Sequence, residues 1–395
     1  MQNALIAPLM PVYKRVDLTF SHGEGAWLVD TAGQRWLDFA SGIAVTGLGH
    51  GHPHLVRTLQ EQAGRLWHVS NLWRIEPLGR LADRLVALSF ADTVFVGNSG
   101  TEMIEGCIKL ARRFHWAAGH PERYRIITFE GAFHGRTMGA ISAAGGAKLT
   151  EGCGPLLDGF DHVPFGDHDA LQRAIGPHTA AILIEPIQGE GGIRAVPPQC
   201  LEGLRALCDE HGLLLILDEV QCGLGRTGKM FAHEWSAARP DVMALAKGLG
   251  GGFPIGAILA TARAASGMTA GSHGSTFGGN PLACAVANAV LDVMLADGFL
   301  ADVARKGDLL RARLDALAEA HPAVIAEVRG RGLLAGIRTV PGNAEVAAAL
   351  REERLLTVTA ADNVLRLLPP LTITEAEIEL AAAALDAACR RLAPA

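Results

Sequence analysis

The chain has 395 residues, 49% hydrophobic and 19% charged, with a formal net charge of -6. That composition is globular rather than disordered, and without a basic stripe it argues against a nucleic-acid partner. No apolar run approaches the roughly 18 residues that span a bilayer. The opening "MQNALIAPLMPVYKRVD" lacks the charged start and long apolar centre of a signal peptide. The 7 cysteines are scattered without a CxxC pair, which fits reduced thiols in the cytoplasm. A prior of about 150 residues per domain gives two or three domains.

In chain order, "TVFVGN" (Thr93 to Asn98) reads as a strand, and Ser99-Gly100-Thr101-Glu102 then opens a long helix with capping-box spacing. "RIITF" (Arg125 to Phe129) and "AAILIEP" (Ala180 to Pro186) read as further strands. "CLEGLRALCDEHG" reads as a helix ending on Gly212, followed by strands "LLLILDEV" (Leu213 to Val220), "VMALA" (Val242 to Ala246) and "IGAILA" (Ile255 to Ala260). These runs are continuous rather than alternating, as expected where helices cover both faces of a sheet. The fold class is therefore α/β, with a mostly parallel central sheet. After about Pro281, helical stretches dominate, with the strand-like pieces "RGLLAGIRTV" and "NVLRLLPPLTI" and an Ala-rich helix at the end. This texture predicts a second, smaller α+β domain.

Ligands of such sheets sit at the carboxyl ends of the strands. Asp218 and Glu219 close one apolar run and Lys247 closes the next. An ion pair between neighbouring strand ends is one reading. The other is a nucleophilic amine: burial lowers a lysine's pKa and prepares it to form a Schiff base with an aldehyde. Pyridoxal phosphate is the aldehyde cofactor that also requires a carboxylate at its ring nitrogen. The turn before the helix at Ser99 offers free N–H groups and the positive end of the helix dipole to a phosphate. Gly100 permits close approach there and Thr101 supplies a hydroxyl.

With "GEGAWLVDTAGQRWLDFASGIAVTGLGHGHP", "EPIQGEGG", "LLILDEVQCGLGRTGKMFAHEW", "ALAKGLGGGFPIGA" and "HGSTFGGNPLA" in this order, the chain resembles the class III, ornithine-type aminotransferases over nearly its whole length. The resemblance implies a fold type I enzyme using pyridoxal 5'-phosphate. It gives Lys247 the Schiff base and the proton shuttle, Asp218 the pyridine nitrogen, and Gln221 the ring hydroxyl. Gly100 and Thr101 would hold the phosphate, Phe133 would stack on the ring, and Arg136 would clamp the substrate carboxylate. Thr276 would reach the phosphate of the neighbouring subunit's cofactor, with Ser275 beside the substrate, so a homodimer is implied. Glu190 would shield Arg366 in one half-reaction and free it for 2-oxoglutarate in the other. The resemblance further implies a large cofactor domain, 56–289, and a small domain joining 1–55 to 290–395. It is strongest to the branch that moves the δ-amino group of N-acetylornithine to 2-oxoglutarate, in arginine biosynthesis. Succinylornithine, ornithine or 4-aminobutyrate are alternative donors.

Some residues depart from the class pattern. Met103, Ile104 and Gly106 differ in the helix after the phosphate turn. Thr46 and Trp73 differ at positions that lie near the substrate entrance in the family. Other motifs invite rival readings. "GLGRTG" (Gly223 to Gly228) matches a dinucleotide-binding glycine pattern, hence an NAD-dependent oxidoreductase, and with Lys229 approaches a P-loop in which Met230 replaces the magnesium-binding Ser or Thr. The context disfavours both, because a carboxylate pair precedes the glycines. His50, His52 and His54 are read as turn residues rather than a metal site. His134 is read as a packed neighbour of the ring rather than a base. A binding protein on a dead enzyme scaffold would be free to lose Lys247, Asp218 or Arg136, yet all three are present.

Overall fold

A computed structural model of the chain describes residues 8–393; residues 1–7, the first part of the stretch read for a leader, and 394–395 lie outside it. The apolar runs form a seven-stranded sheet in the order Thr93–Gly97, Gly256–Ala260, Val242–Leu245, Leu214–Asp218, Thr179–Ile184, Arg125–Phe129, Phe160–Val163. Gly256–Ala260 is antiparallel to both neighbours and the other pairs are parallel. The strands ending at Gly97, Ile184, Asp218 and Leu245 therefore open on one edge, where Gly256–Ala260 begins.

Every residue of Leu214–Asp218 and Val242–Leu245 is buried, because each face is covered. On one face Leu214, Ile216, Val242 and Ala244 meet Met103, Ile104 and Cys107 of helix Gly100–Ala117. On the other, Leu213, Leu215 and Leu217 meet Leu201, Leu204 and Cys208 of helix Pro198–His211. The period of two along the strand sends alternate leucines to opposite layers, and the i, i+3, i+7 spacing of the helix residues makes one apolar stripe. Each fully buried leucine contributes about 1.5–3 kcal/mol. Helix Pro198–His211 stops at Gly212, whose φ of 63° suits a residue without Cβ.

The departures at Met103, Ile104 and Gly106 belong to this packing. Met103 and Ile104 are fully buried against the sheet. A Cβ on Gly97 would lie 2.2 Å from Met103 Cε, and one on Gly256 2.7 Å from Met103 Cγ. Glycines on two adjacent strands thus make the room that Met103 fills. A Cβ on Gly106 would come within 2.4 Å of Ile258 Cδ1, so the helix approaches the sheet closely there.

Helix Pro281–Met294 packs on helices Pro53–Ala63 and Glu76–Ala87 and on the turn at Lys247–Gly250. The next helix, Phe299–Ala320, packs instead on Glu375–Leu392 and strand Ile325–Arg331. That strand belongs to an antiparallel sheet in the order Ile325–Arg331, Leu334–Thr339, Val364–Leu367, Val358–Thr359. The amino-terminal meander Phe20–Glu24, Trp27–Asp30, Arg35–Asp38 completes a third sheet through parallel pairing with Leu355–Leu356. Phe39 O also accepts from Leu368 N at 2.7 Å, so the first and last parts of the chain sit side by side. No single helix among the described residues is long and apolar enough to cross a membrane.

Candidate active site

At the carboxyl edge of the central sheet lies a cavity of about 370 Å³, a size typical of small-molecule sites, roughly 300–1,000 Å³. Gly100, Thr101, Phe133, Arg136, Asp218, Gln221 and Lys247 all line it. Lys247 is separated from the end of its strand by Ala246 alone, with a φ of 38° that turns the chain. Burial pulls its ammonium below the ordinary lysine value, against the opposing charge of Glu190. The amine is thereby closer to its neutral, nucleophilic form.

Asp218 is buried at the end of the neighbouring strand. Its Oδ1 accepts from Val220 N at 3.0 Å and its Oδ2 meets His134 Nδ1 at 2.8 Å. Burial alone would lower the His134 pKa, but the bond and charge of Asp218 outweigh it and the net shift is upward. His134 is therefore more than a packed neighbour of the ring: it orients the carboxylate. Glu219, one residue on, points elsewhere; it accepts from Ala232 N and pairs with His233 at 2.8 Å. Strand alternation thus separates two acids that stand together in the sequence.

The helix at Gly100 begins as the capping spacing suggests, but only half of the box forms. Ser99 Oγ accepts from Glu102 N at 3.4 Å, while the Glu102 carboxylate reaches past Ser99 to Asn98 N at 2.5 Å. Thr101 Oγ1 accepts from Arg136 N and Thr137 N at 3.2 and 3.3 Å, which ties the "GRT" turn to the helix start. Gly135 makes this approach possible, since a Cβ there would lie 2.2 Å from Thr101 Oγ1. Arg136 is exposed at the mouth, its guanidinium 5.6 Å from the Phe133 ring centre.

Arg366 is 1% exposed and donates to Glu190 Oε1 at 2.7 Å and to Gln221 Oε1 at 3.3 Å. The predicted pair is therefore in contact, one residue away from the cavity wall through Gln221. Gly189 makes room for that amide; its Cβ would lie 2.0 Å from Gln221 Oε1. Ser275 and Thr276 do not line the cavity of their own chain. Ser275 Oγ accepts from Asn98 Nδ2 and Gly278 N, and Thr276 is exposed. Thr46 stands beside Gly252 of the cavity wall, and Trp73 is 70% exposed.

Glu185 was not singled out in the sequence. It is buried, lines the cavity, and accepts from Phe133 N at 2.9 Å and Gly189 N at 3.3 Å. Burial and then the negative charge of Asp218 push its pKa up. The available signal was an acid closing the apolar run "AAILI", the same signal that exposed Asp218.

The rival motifs find other uses. No helix opens after Gly228; the chain continues through turns to the short Ala232–Trp235 segment, so the glycines offer no helix start to a phosphate. Arg226 within them is buried and donates to Leu333 O and Pro369 O. His50 pairs with Asp38 and His54 with Asp292, so neighbouring histidines turn to separate partners.

The sequence profile of the aminotransferase class-III family matches residues 10–389. The chain belongs to the class-III aminotransferases. It is 61% identical to an acetylornithine aminotransferase of Mesorhizobium japonicum over 98% of this chain and 97% of that one. It is 60% identical to acetylornithine aminotransferase 1 of Bradyrhizobium diazoefficiens over 98% and 96%. Among solved structures, the ornithine aminotransferase of Toxoplasma gondii superposes with a TM-score of 0.94 at 32% identity, covering 98% and 93%. The N-acetylornithine aminotransferase of Stenotrophomonas maltophilia gives 0.84 at 39%, covering 96% and 97%. This class-III aminotransferase is a fold type I, pyridoxal-phosphate-dependent transferase acting on small molecules. The donor set fits that cofactor: a desolvated amine, a buried carboxylate and a helix start cleared by Gly135 meet in one cavity.

Proposed function

We propose that this aminotransferase moves the δ-amino group of N-acetylornithine to 2-oxoglutarate, giving N-acetylglutamate semialdehyde and glutamate, in the cytoplasm. The observation that carries the chemistry is the convergence of Lys247 and Asp218 on one cavity, and the 61% identity to an acetylornithine enzyme favours the donor. When bound, pyridoxal phosphate supplies an aldehyde that condenses with amines and a ring that takes up the electron pair left on carbon after deprotonation.

The residues divide that work. Gly100 and Thr101 would hold the phosphate at the positive end of their helix. Asp218, oriented by His134 and Val220 N, would pair with the ring nitrogen and favour its charged form. Phe133 would stack on the ring and Gln221 would bond the ring hydroxyl. Lys247 supplies the amine and, because burial weakens its hold on a proton, can accept one from the donor carbon and return it. Arg136 clamps the donor carboxylate with its planar fork. Glu190 covers Arg366 while a donor occupies the site; moving aside, it lets Arg366 take a carboxylate of 2-oxoglutarate.

The functional unit is a homodimer with shared sites. Thr276 and Phe277 are exposed, the latter at 63%, and Trp73 at 70%. A second copy covering them would bring Thr276 to its neighbour's phosphate, with Ser275 beside the substrate. The donor is tested by kcat/KM for N-acetylornithine, N-succinylornithine, ornithine and 4-aminobutyrate against 2-oxoglutarate. N-Acetylornithine should lead; a tenfold advantage for ornithine or 4-aminobutyrate would remove the assignment.

A further inference from the structure

The turn that carries Glu190 is held in an unfavourable conformation by residues outside the cavity. It connects the two-residue strands Ile187–Gln188 and Arg194–Ala195. Within it Ile193 has a φ of 51°. Left-handed backbone is unfavourable for an ordinary L-residue, and a β-branched one adopts it rarely. Such outliers persist only where surroundings enforce them, and they gather at switches and clamps.

The enforcement is visible. Ile193 is 1% exposed, and its side chain occupies a slot left by two glycines of the sheet beneath. A Cβ on Gly336 would lie 2.8 Å from Ile193 Cγ1, and one on Gly330 3.0 Å from Ile193 Cγ2. Arg329, on the strand Ile325–Arg331, donates to Gly192 O at 3.1 Å and to Asp362 Oδ2 at 2.6 Å, and its other nitrogen meets Glu327 at 2.7 Å. Ala361 N donates to Glu190 O at 2.9 Å. The opposing loop is itself left-handed at Asp362 and Asn363, with φ of 55° and 53°. Asn363 is fixed by bonds to Thr339 O and Pro341 O, both at 2.7 Å. Two constrained turns, far apart in sequence, are thus bolted together behind one carboxylate.

We propose that Ile193, Arg329 and Asp362 form a clasp that fixes the reach of Glu190 to Arg366, and so sets the balance between amino donor and oxoacid. They are positioning residues: none lines the cavity. With the backbone bolted, Glu190 can leave Arg366 only by side-chain rotation, and it returns to the same place. With the clasp loosened, the turn drifts and Arg366 stays uncovered for longer. The oxoacid gains and discrimination falls, while the chemical step is untouched. This inference rests on the Glu190–Arg366 switch of the proposed function.

The test uses Arg329→Gln and Asp362→Asn in the cofactor-loaded enzyme, with Glu190→Ala as the control. Asp362→Asn keeps a residue that tolerates positive φ, and so carries the test should the arginine variant fail to fold. Asp362 is half exposed, so loss of its pair with Arg329 corresponds to roughly two- to fivefold. The ratio of kcat/KM for 2-oxoglutarate to that for the amino donor should rise about two- to fivefold, through KM, with kcat unchanged. Hydrogen exchange of the peptide spanning 187–196 should also quicken in the cofactor-free variants, a readout independent of turnover. Added to Glu190→Ala, either substitution should change the ratio no further. If Glu190→Ala shifts the ratio but both clasp variants leave ratio and exchange unchanged, the clasp is wrong. If Glu190→Ala itself leaves the ratio unchanged, the switch reading beneath it is what fails.

Discussion

Replacing His134 by phenylalanine keeps a ring of similar shape and removes one donor. In the native protein that donor meets Asp218 Oδ2 at 2.8 Å, between side chains 0% and 4% exposed. A hydrogen bond to a charged group contributes about 1.5–3 kcal/mol, or roughly a 10- to 150-fold change at about 1.4 kcal/mol per tenfold. Asp218 would keep only Val220 N as a donor, so its buried charge would be poorly compensated. The loss should divide between the cofactor-free protein and the affinity for pyridoxal phosphate. Titrating cofactor into stripped protein by absorbance should show Kd rising by about tenfold or more. The pH dependence fixes the sign. His134 is shifted upward by Asp218 despite its burial. Its contribution to stability is therefore fully present below the ordinary histidine value of about 6.5 and disappears as pH rises through the higher folded value. His52, His115 and His273 shift downward, chiefly by burial, and act in the opposite sense. The difference between wild-type and variant urea midpoints, followed against pH, isolates His134. A folded variant with unchanged Kd and a flat difference curve would refute the orienting role.

Two further outcomes follow from the same geometry. Arg136→Ala should raise KM for carboxylate substrates and lower kcat/KM by roughly 30- to 4,000-fold, as for a charge pair that loses one partner; steady-state kinetics decide, and unchanged values would take the clamp role from Arg136. If the proposed dimer shares its sites, Thr276→Ala should weaken cofactor binding although it lies outside its own chain's cavity. Mixing it with cofactor-site variants should restore one competent site per mixed dimer, whereas full independence of the subunits would remove the shared site.

The strands were legible because burial on both faces makes them unbroken apolar runs, as in Leu214–Asp218. Lys247 and Asp218 were legible for the same reason, since a charge that ends such a run needs an explanation. The antiparallel insertion of Gly256–Ala260 was not, because an apolar run carries no direction. Pairing of Leu355–Leu356 with Arg35–Asp38 escaped notice because two residues have no period. The bond from His134 to Asp218 is not legible in the sequence because the two lie 84 positions apart, and only the sheet edge brings them together. The departures at Met103 and Gly106 answer to Gly97, Gly256 and Ile258 across the helix–sheet contact, which sequence order does not reveal.

The proposed chemistry needs a single desolvated amine, and borohydride reduction of the cofactor-loaded enzyme, followed by peptide mass spectrometry, interrogates it directly. The pyridoxyl group should be fixed to the peptide carrying Lys247 alone, and Lys247→Ala should lose both label and turnover. A label on another lysine, or turnover near the wild-type rate without Lys247, would contradict the account.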